Sequence, residues 1–184
     1  MSASSDRHGE SELARLRGLV EAGASGAAAA LAELVGRTVL HRHTRVPGRG
    51  VAEEPALRTT GVFFEAEGHL RGLVGLLMAP ASRDTVLRNL LGRDGAGRPG
   101  SATAASALCE LGNIVASWTM SAVANDLGAR ILLSVPKLVT EDAEAALASW
   151  VAHRRHAGAV LRLESVLSDC DEAFEALLVF VLDP

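Results

Sequence analysis

Two long Ala- and Leu-rich stretches, each stopped by a glycine and each followed by a β-branched run, constrain this chain more than any other feature. The first spans about Ser11 to Val35 and stops at Gly36; the second spans about Ser101 to Leu127 and stops at Gly128. Apolar spacing of this kind, ended by glycine, predicts amphipathic helices. The stretch Leu34-Val35-Gly36-Arg37-Thr38-Val39 has a counterpart in Asp126-Leu127-Gly128-Ala129-Arg130-Ile131, and Leu73–Pro80 has one in Leu177–Pro184. Asp94–Gly100 separates the two copies as a Gly- and Pro-containing linker with one alanine as its only apolar residue.

Each copy therefore predicts a long helix, a strand, a helical or irregular connection, and a hairpin. In the first, strands are expected at Thr38–Val46, Thr59–Ala66 and His69–Met78, with the hairpin turning at Glu67-Gly68 and a short helix following at Ala81–Leu91. In the second, strands are expected at Ala129–Val135, Val160–Leu167 and Phe174–Leu182, with a helix at Glu141–Trp150. Neither half could bury its apolar face alone, which implies one α+β domain over residues 11–184, built from pseudo-repeats 11–93 and 101–184. Two long helices would lie side by side on a largely antiparallel sheet. The sheet's other face would be covered by the shorter helices or partly open to a partner. Residues 1–10, polar and Ser-rich, read as a mobile tail.

Composition narrows the function. Only 3% of the 184 residues are aromatic, with no tyrosine, so the core must be built mostly from Ala, Leu and Val. A net charge of −4 argues against nucleic acid or an anionic membrane as the main partner. Cys109 and Cys170 form neither a disulfide framework nor a metal-site spacing, which fits a reducing cytosol. The N-terminus lacks the apolar stretch of a secretory signal, and the uninterrupted apolar runs are too short to span a bilayer, so a cytoplasmic protein is expected.

The second long helix carries the chemistry. On a helical wheel Glu110, Asn113 and Ser117 fall within roughly 40° of Ser106. Leu108, Leu111, Val115, Trp118 and Ala122 are assigned to the opposite, apolar side. Most outward Glu and Asn residues on helices are merely solvated, but asparagine is a poor helix former, and its use here asks for a reason. Elsewhere, His41 and His43 alternate on a predicted strand without a third metal ligand. His153 and His156 sit in a polar connection with Arg154 and Arg155. Cys109 reads as a small buried residue and Trp118 as core.

The spacing Ser106-x-x-x-Glu110-x-x-Asn113, followed after 22 residues by Pro136, resembles the signature of the CheC/CheX/FliY family of chemotaxis phosphatases. Glu110-Leu111-Gly112-Asn113-Ile114, Ser134-Val135-Pro136 and the hairpin segments Gly61–Pro80 and Val160–Pro184 are similar to the family as well, so the likeness runs from about Ser11 to Pro184. The resemblance implies a CheC-like fold and a phosphatase for the aspartyl phosphate of a CheY-like receiver domain. Asn113 would orient the attacking water, Glu110 would pair with the receiver's lysine, and Ser106 and Pro136 would support the site. The chain would need no metal or cofactor of its own, because the receiver brings the Mg²⁺. The pseudo-repeat sets Ala14, Gly18, Glu21 and Thr44 opposite Ser106, Glu110, Asn113 and Pro136, so a twin site would be lost. The rival reading is a catalytically weak binding module acting through CheD, which some family members bind, on a fold shared with the middle domain of FliM.

Overall fold

The two continuous apolar runs, Leu73–Met78 and Leu177–Leu182, become the centre of a sheet buried on both faces, where strands lose the alternation of a half-exposed sheet. The computed structural model describes residues 3–46, 57–95, 100–155, 160–171 and 174–183. The elements are α1 (Ala3–Val35), β1 (Val39–Arg45), β2 (Thr60–Gly68), β3 (Gly72–Met78), α2 (Pro80–Gly95), α3 (Ala102–Leu127), β4 (Ile131–Leu133), β5 (Lys137–Val139), α4 (Ala143–Arg155), β6 (Leu161–Asp169) and β7 (Glu175–Leu182). The strands form one antiparallel sheet in the order β1-β6-β7-β3-β2-β4, with β5 also on β2.

This order is its own reverse when β1, β2 and β3 are exchanged for β4–β5, β6 and β7, so the two halves are related by a pseudo-two-fold axis. The registers agree residue by residue. Gly75 and Val179, counterparts in the sequence repeat, pair with each other at the axis. In the first half His41 pairs with Leu167 and Arg45 with Glu164. In the second the counterparts Leu133 and Lys137 pair with Ala66 and Phe63. Both edge strands break at the same place. Arg42, His43 and Thr44 face Ser165 and Val166, and Ser134, Val135 and Pro136 face Phe64 and Glu65, so each edge carries one extra residue, a β-bulge. Each half's first strand lies on the hairpin of the other half.

α1 and α3 pack against each other on one face of the sheet, over a core that includes Leu31, Val62, Phe64, Leu108, Leu111, Val115 and Phe180. α2 joins them there through Val86 and Leu87, rather than covering the other face as a short helix might be expected to do. That other face is covered by α4 alone among the described helices, with Ala143, Leu147 and Val151 on Phe63, Leu77 and Val179. Asp142 starts α4 by accepting the Ala145 N–H at 3.0 Å. Arg58, buried ahead of β2, bonds Glu175 at 2.6 Å and Glu144 at 3.5 Å and so ties α4 to β7.

Several boundaries differ from expectation for local reasons. α1 begins at Ala3, not Ser11, so the stretch read as a mobile tail enters the helix; residues 3–10 hold no proline to stop it. Ala14–Val35 is long and apolar enough to cross a membrane by length and composition, against the sequence expectation, but half of its most apolar window is buried inside the fold. The β2–β3 turn falls at His69–Arg71, because β2 continues through Glu67 and Gly68 to pair with β4. α2 reaches Gly95, past a non-helical break at Gly92, so the expected linker begins inside it, and residues 96–99 of that linker lie outside the described residues. Pro47, Gly48, Gly50 and nearly all of Val51–Leu57 also lie outside them.

Two glycines let α3 approach its neighbours. A Cβ on Gly112 would fall 2.5 Å from Val62 Cγ1 and 2.8 Å from Val62 Cβ on β2; one on Gly23 of α1 would fall 2.9 Å from Thr119 Cγ2. Gly112→Ala is expected to cost about 1–3 kcal/mol through overpacking, more than the ~1 kcal/mol that better helix propensity returns. Urea unfolding checks this; a variant as stable as the parent would mean that α3 can lift off β2 freely.

Candidate functional site

Ser101 caps α3 by accepting the Ala104 N–H at 3.2 Å, and Gly128 ends it in the left-handed conformation with φ of 60°. Between these stops α3 buries Ala104, Leu108, Leu111, Gly112, Val115, Ala116, Thr119, Met120 and Val123. Ser106, Glu110, Asn113 and Ser117 are all exposed, as their spacing predicts. Among the described residues neither the Glu110 nor the Asn113 side chain has a hydrogen-bond or ion-pair partner. A carboxylate and an amide one turn apart, both unengaged, form a surface that can bond to another molecule without first breaking bonds of its own.

The apolar side was misjudged at one position. Trp118 is 59% exposed rather than core. A wheel assumes one neighbour, the sheet. Here α1 covers a flank of α3 as well, along Thr119 and Val123, so the buried arc shifts round and Trp118 enters the open one. Cys109 is half-buried, beside Glu110 in sequence but not on the exposed stripe.

Pro136 occupies the bulge between β4 and β5. It has no N–H for the ladder, and edges and bulges are where strands tolerate it. This is why one expected strand, Ala129–Val135, becomes two short ones. Ser134 holds the break to β2: its N–H donates to Glu65 O at 2.9 Å, and its Oγ accepts the Glu65 N–H at 3.0 Å. Val135 is left 84% exposed. α3 touches both β4 and β5. Pro136 also lines a cleft of about 480 Å³ on the α4 face, with Phe63, Leu73, Val135, Leu147 and Trp150. Lys137 lies beyond the expected strand, and a proline closing a β-branched run is the sign in the sequence of a bulge from which pairing resumes.

The twin positions hold no comparable pair. Ala14 and Gly18 are exposed, and Glu21 is bonded to Arg17 at 3.0 Å. Thr44, in the register of Pro136, is buried and bonds to Ser165 Oγ at 2.7 Å and His41 Nε2 at 3.0 Å. The bulge also ends the simple alternation expected of His41 and His43; Thr44 engages His41 while His43 is exposed. His153 is exposed on α4, beside an Arg154 that lies 4.5 Å from the Trp150 ring; His156 lies outside the described residues. Among the described residues no group of three or more His, Cys, Asp or Glu side chains could hold a metal ion.

Residues 104–140, which carry Ser106, Glu110, Asn113 and Pro136, match the CheC-like family (CheC). No curated protein sequence matches the chain. Among solved structures the fold is similar to the chemotaxis protein CheX from Desulfovibrio desulfuricans, with a TM-score of 0.67 and 13% identity over 90% of this chain and 99% of that one. It is similar to a chain of the CheX–CheY–BeF3–Mg²⁺ complex from Borrelia burgdorferi, with a TM-score of 0.62 and 13% identity over 89% and 96%. The FliM middle domain from Vibrio alginolyticus gives 0.51 and 14% over 90% of each chain. The fold is thus shared with these chemotaxis proteins over nine-tenths of the chain, and the segment that carries the stripe matches the CheC-like family.

Two outcomes are expected at the first half. Gly18 is exposed in mid-helix, and a Cβ there meets nothing within 4 Å, so Gly18→Ala should stabilise the protein by about 0.5–1 kcal/mol in a urea titration. Burial holds His41 below its ordinary 6.5, outweighing the upward pull of the His43 backbone bond and of Glu21. The unfolded chain therefore takes up this proton first, and stability should fall as pH drops below about 6.5 toward the folded-state value. His41→Gln should flatten that part of the melting-temperature profile between about pH 7.5 and pH 5; an unchanged slope would assign the acid loss to other groups.

Proposed function

We propose that this protein is a phosphatase acting on the aspartyl phosphate of a CheY-like receiver domain in a chemotaxis-type signalling pathway. The reading is carried by one observation: Glu110 and Asn113 stand free and exposed on α3, inside the segment that matches the CheC-like family. It is supported by the fold's likeness to a CheX whose structure is a complex with CheY, BeF3 and Mg²⁺. In this reading the chain works in the cytoplasm and needs no cofactor of its own.

An acyl phosphate is already activated toward hydrolysis, so a strong nucleophile is unnecessary. Holding a water in line with the phosphorus supplies much of the acceleration. The Asn113 amide suits this task, because it donates and accepts without charge, whereas a carboxylate at that position would repel the phosphoryl oxygens. The carboxylate belongs one turn earlier. There Glu110 meets a receiver lysine and fixes the docking angle through a charge-assisted bond. Mg²⁺ bound by the receiver offsets the phosphoryl charge. Ser106 extends the polar stripe toward the start of α3, and Pro136 keeps the edge beside it open. The first half keeps the scaffold without these groups, so one receiver is bound per chain.

The other reading is a binding module of the same fold, for CheD or another chemotaxis protein; the likeness to the FliM middle domain favours it only as far as fold. Decay of a phosphorylated CheY-type receiver with Mg²⁺ separates the two. Faster decay that Asn113→Ala reduces by about 100-fold, with the melting temperature unchanged, is the expected result; general water-positioning effects are of that size. Unaltered decay with the parent protein would favour the binding module. Acceleration that survives Asn113→Ala would remove the assigned role.

A further inference from the structure

We infer that Trp118 is the apolar anchor by which this chain holds the receiver, a positioning residue for the reaction proposed above; the inference rests on that reading. The chain has six aromatic residues. All four phenylalanines are buried, and Trp150 is half-buried against the α4-side core. Trp118 alone of the six is left mostly in water, at 59% exposure. A chain this poor in aromatics has none to spare for solvent. The neighbouring outward positions of α3 are small or polar: Ser106, Glu110, Asn113, Ser117, Ser121 and Asn125.

Position gives the exposed ring its partner. Trp118 lies five residues beyond Asn113, about 7.5 Å along the helix axis and about 140° round it, so the two bound the exposed arc of α3 that also holds Glu110, Ser117 and Ser121. A standard interface covers about 800 Å² per side, a patch roughly 30 Å across. A receiver seated on Glu110 and Asn113 therefore covers Trp118 too. Glu110 and Asn113 offer bonds but little apolar area, and their bonds replace bonds to water. Desolvation energy must come from elsewhere in the patch, and tryptophan at the rim of a polar stripe is a common source of it.

The test follows decay of the phosphorylated receiver against the phosphatase concentration, with the full chain, Trp118→Ala and Trp118→Phe. Trp118→Ala should raise the concentration for half-maximal acceleration by about tenfold or more, within the range of interface anchors, and leave the maximal rate within about twofold. Trp118→Phe should recover most of the loss. In a Trp150→Phe background, emission of the remaining Trp118 should shift to the blue when a beryllofluoride-activated receiver is added with Mg²⁺. A parent protein that accelerates decay while Trp118→Ala matches it, with no shift in emission, overturns the anchor and leaves the phosphatase standing. A fall in maximal rate at unchanged half-saturation also overturns it, since the ring would then act in the chemical step. A Trp118→Ala variant that turns a dimer into a monomer assigns the ring to a second copy of this chain instead. A parent protein without effect on the receiver removes the phosphatase reading and the anchor together.

Discussion

Edge strand β1 hydrogen-bonds to β6 of the second half, and β4–β5 hydrogen-bonds to β2 of the first. The position of α3 depends on that exchange. α3 rests on β2 through Gly112 and leads through Gly128 into β4, which pairs with β2 again. The helix bearing the exposed stripe is thus held at its middle by packing and at its end by a strand, both on the other half's hairpin. A half folded alone would lose its edge strand's partner and expose one face of a strongly apolar sheet. The long-range pairings across the axis make the two copies one folding unit rather than two tandem domains.

Much of this frame was legible in the sequence because its signals are local. Gly36 and Gly128 end their helices wherever the helices pack, since both adopt the left-handed conformation that glycine favours. Leu73–Met78 and Leu177–Leu182 read as buried strands because apolar residues run without a break. The exposed stripe was legible too, because four polar residues at helical spacing fix their own direction once one face of the helix is buried. The outward placement of Ser106, Glu110, Asn113 and Ser117 follows from that alone.

What the sequence hid is what a second neighbour decides. Trp118 was placed in the core because a wheel with one buried side puts it beside Leu111; the flank taken by α1 moves that boundary. β5 was missed because Pro136 looks like the end of a strand, whereas in an edge strand it marks a bulge from which pairing resumes at Lys137. The β2–β3 turn was set too early because Gly68 is a good turn residue in isolation, yet β4 holds it in the ladder. The covering of the sheet's second face by α4, with α2 on the first, could be settled only by three-dimensional packing.

The two bulges show how one frame supports different local chemistry. In β1 the extra residue is absorbed with side-chain bonds: Thr44 is buried and shared between Ser165 and His41, and Arg42 bonds Ser168 at 2.7 Å. In the second half the counterpart of Thr44 is Pro136, which can donate nothing to a neighbour; Ser134 secures the break through the backbone of Glu65, and Val135 is turned outward. The same register therefore yields a closed, self-bonded edge on one side of the axis and an open apolar one on the other. α1 and α3 differ in the same sense, with Glu21 engaged by Arg17 while Glu110 and Asn113 remain free. In each half the edge and the outward helix face are either both satisfied internally or both left available. A partner that needs a helix face and its flanking edge together would find them only in the second half.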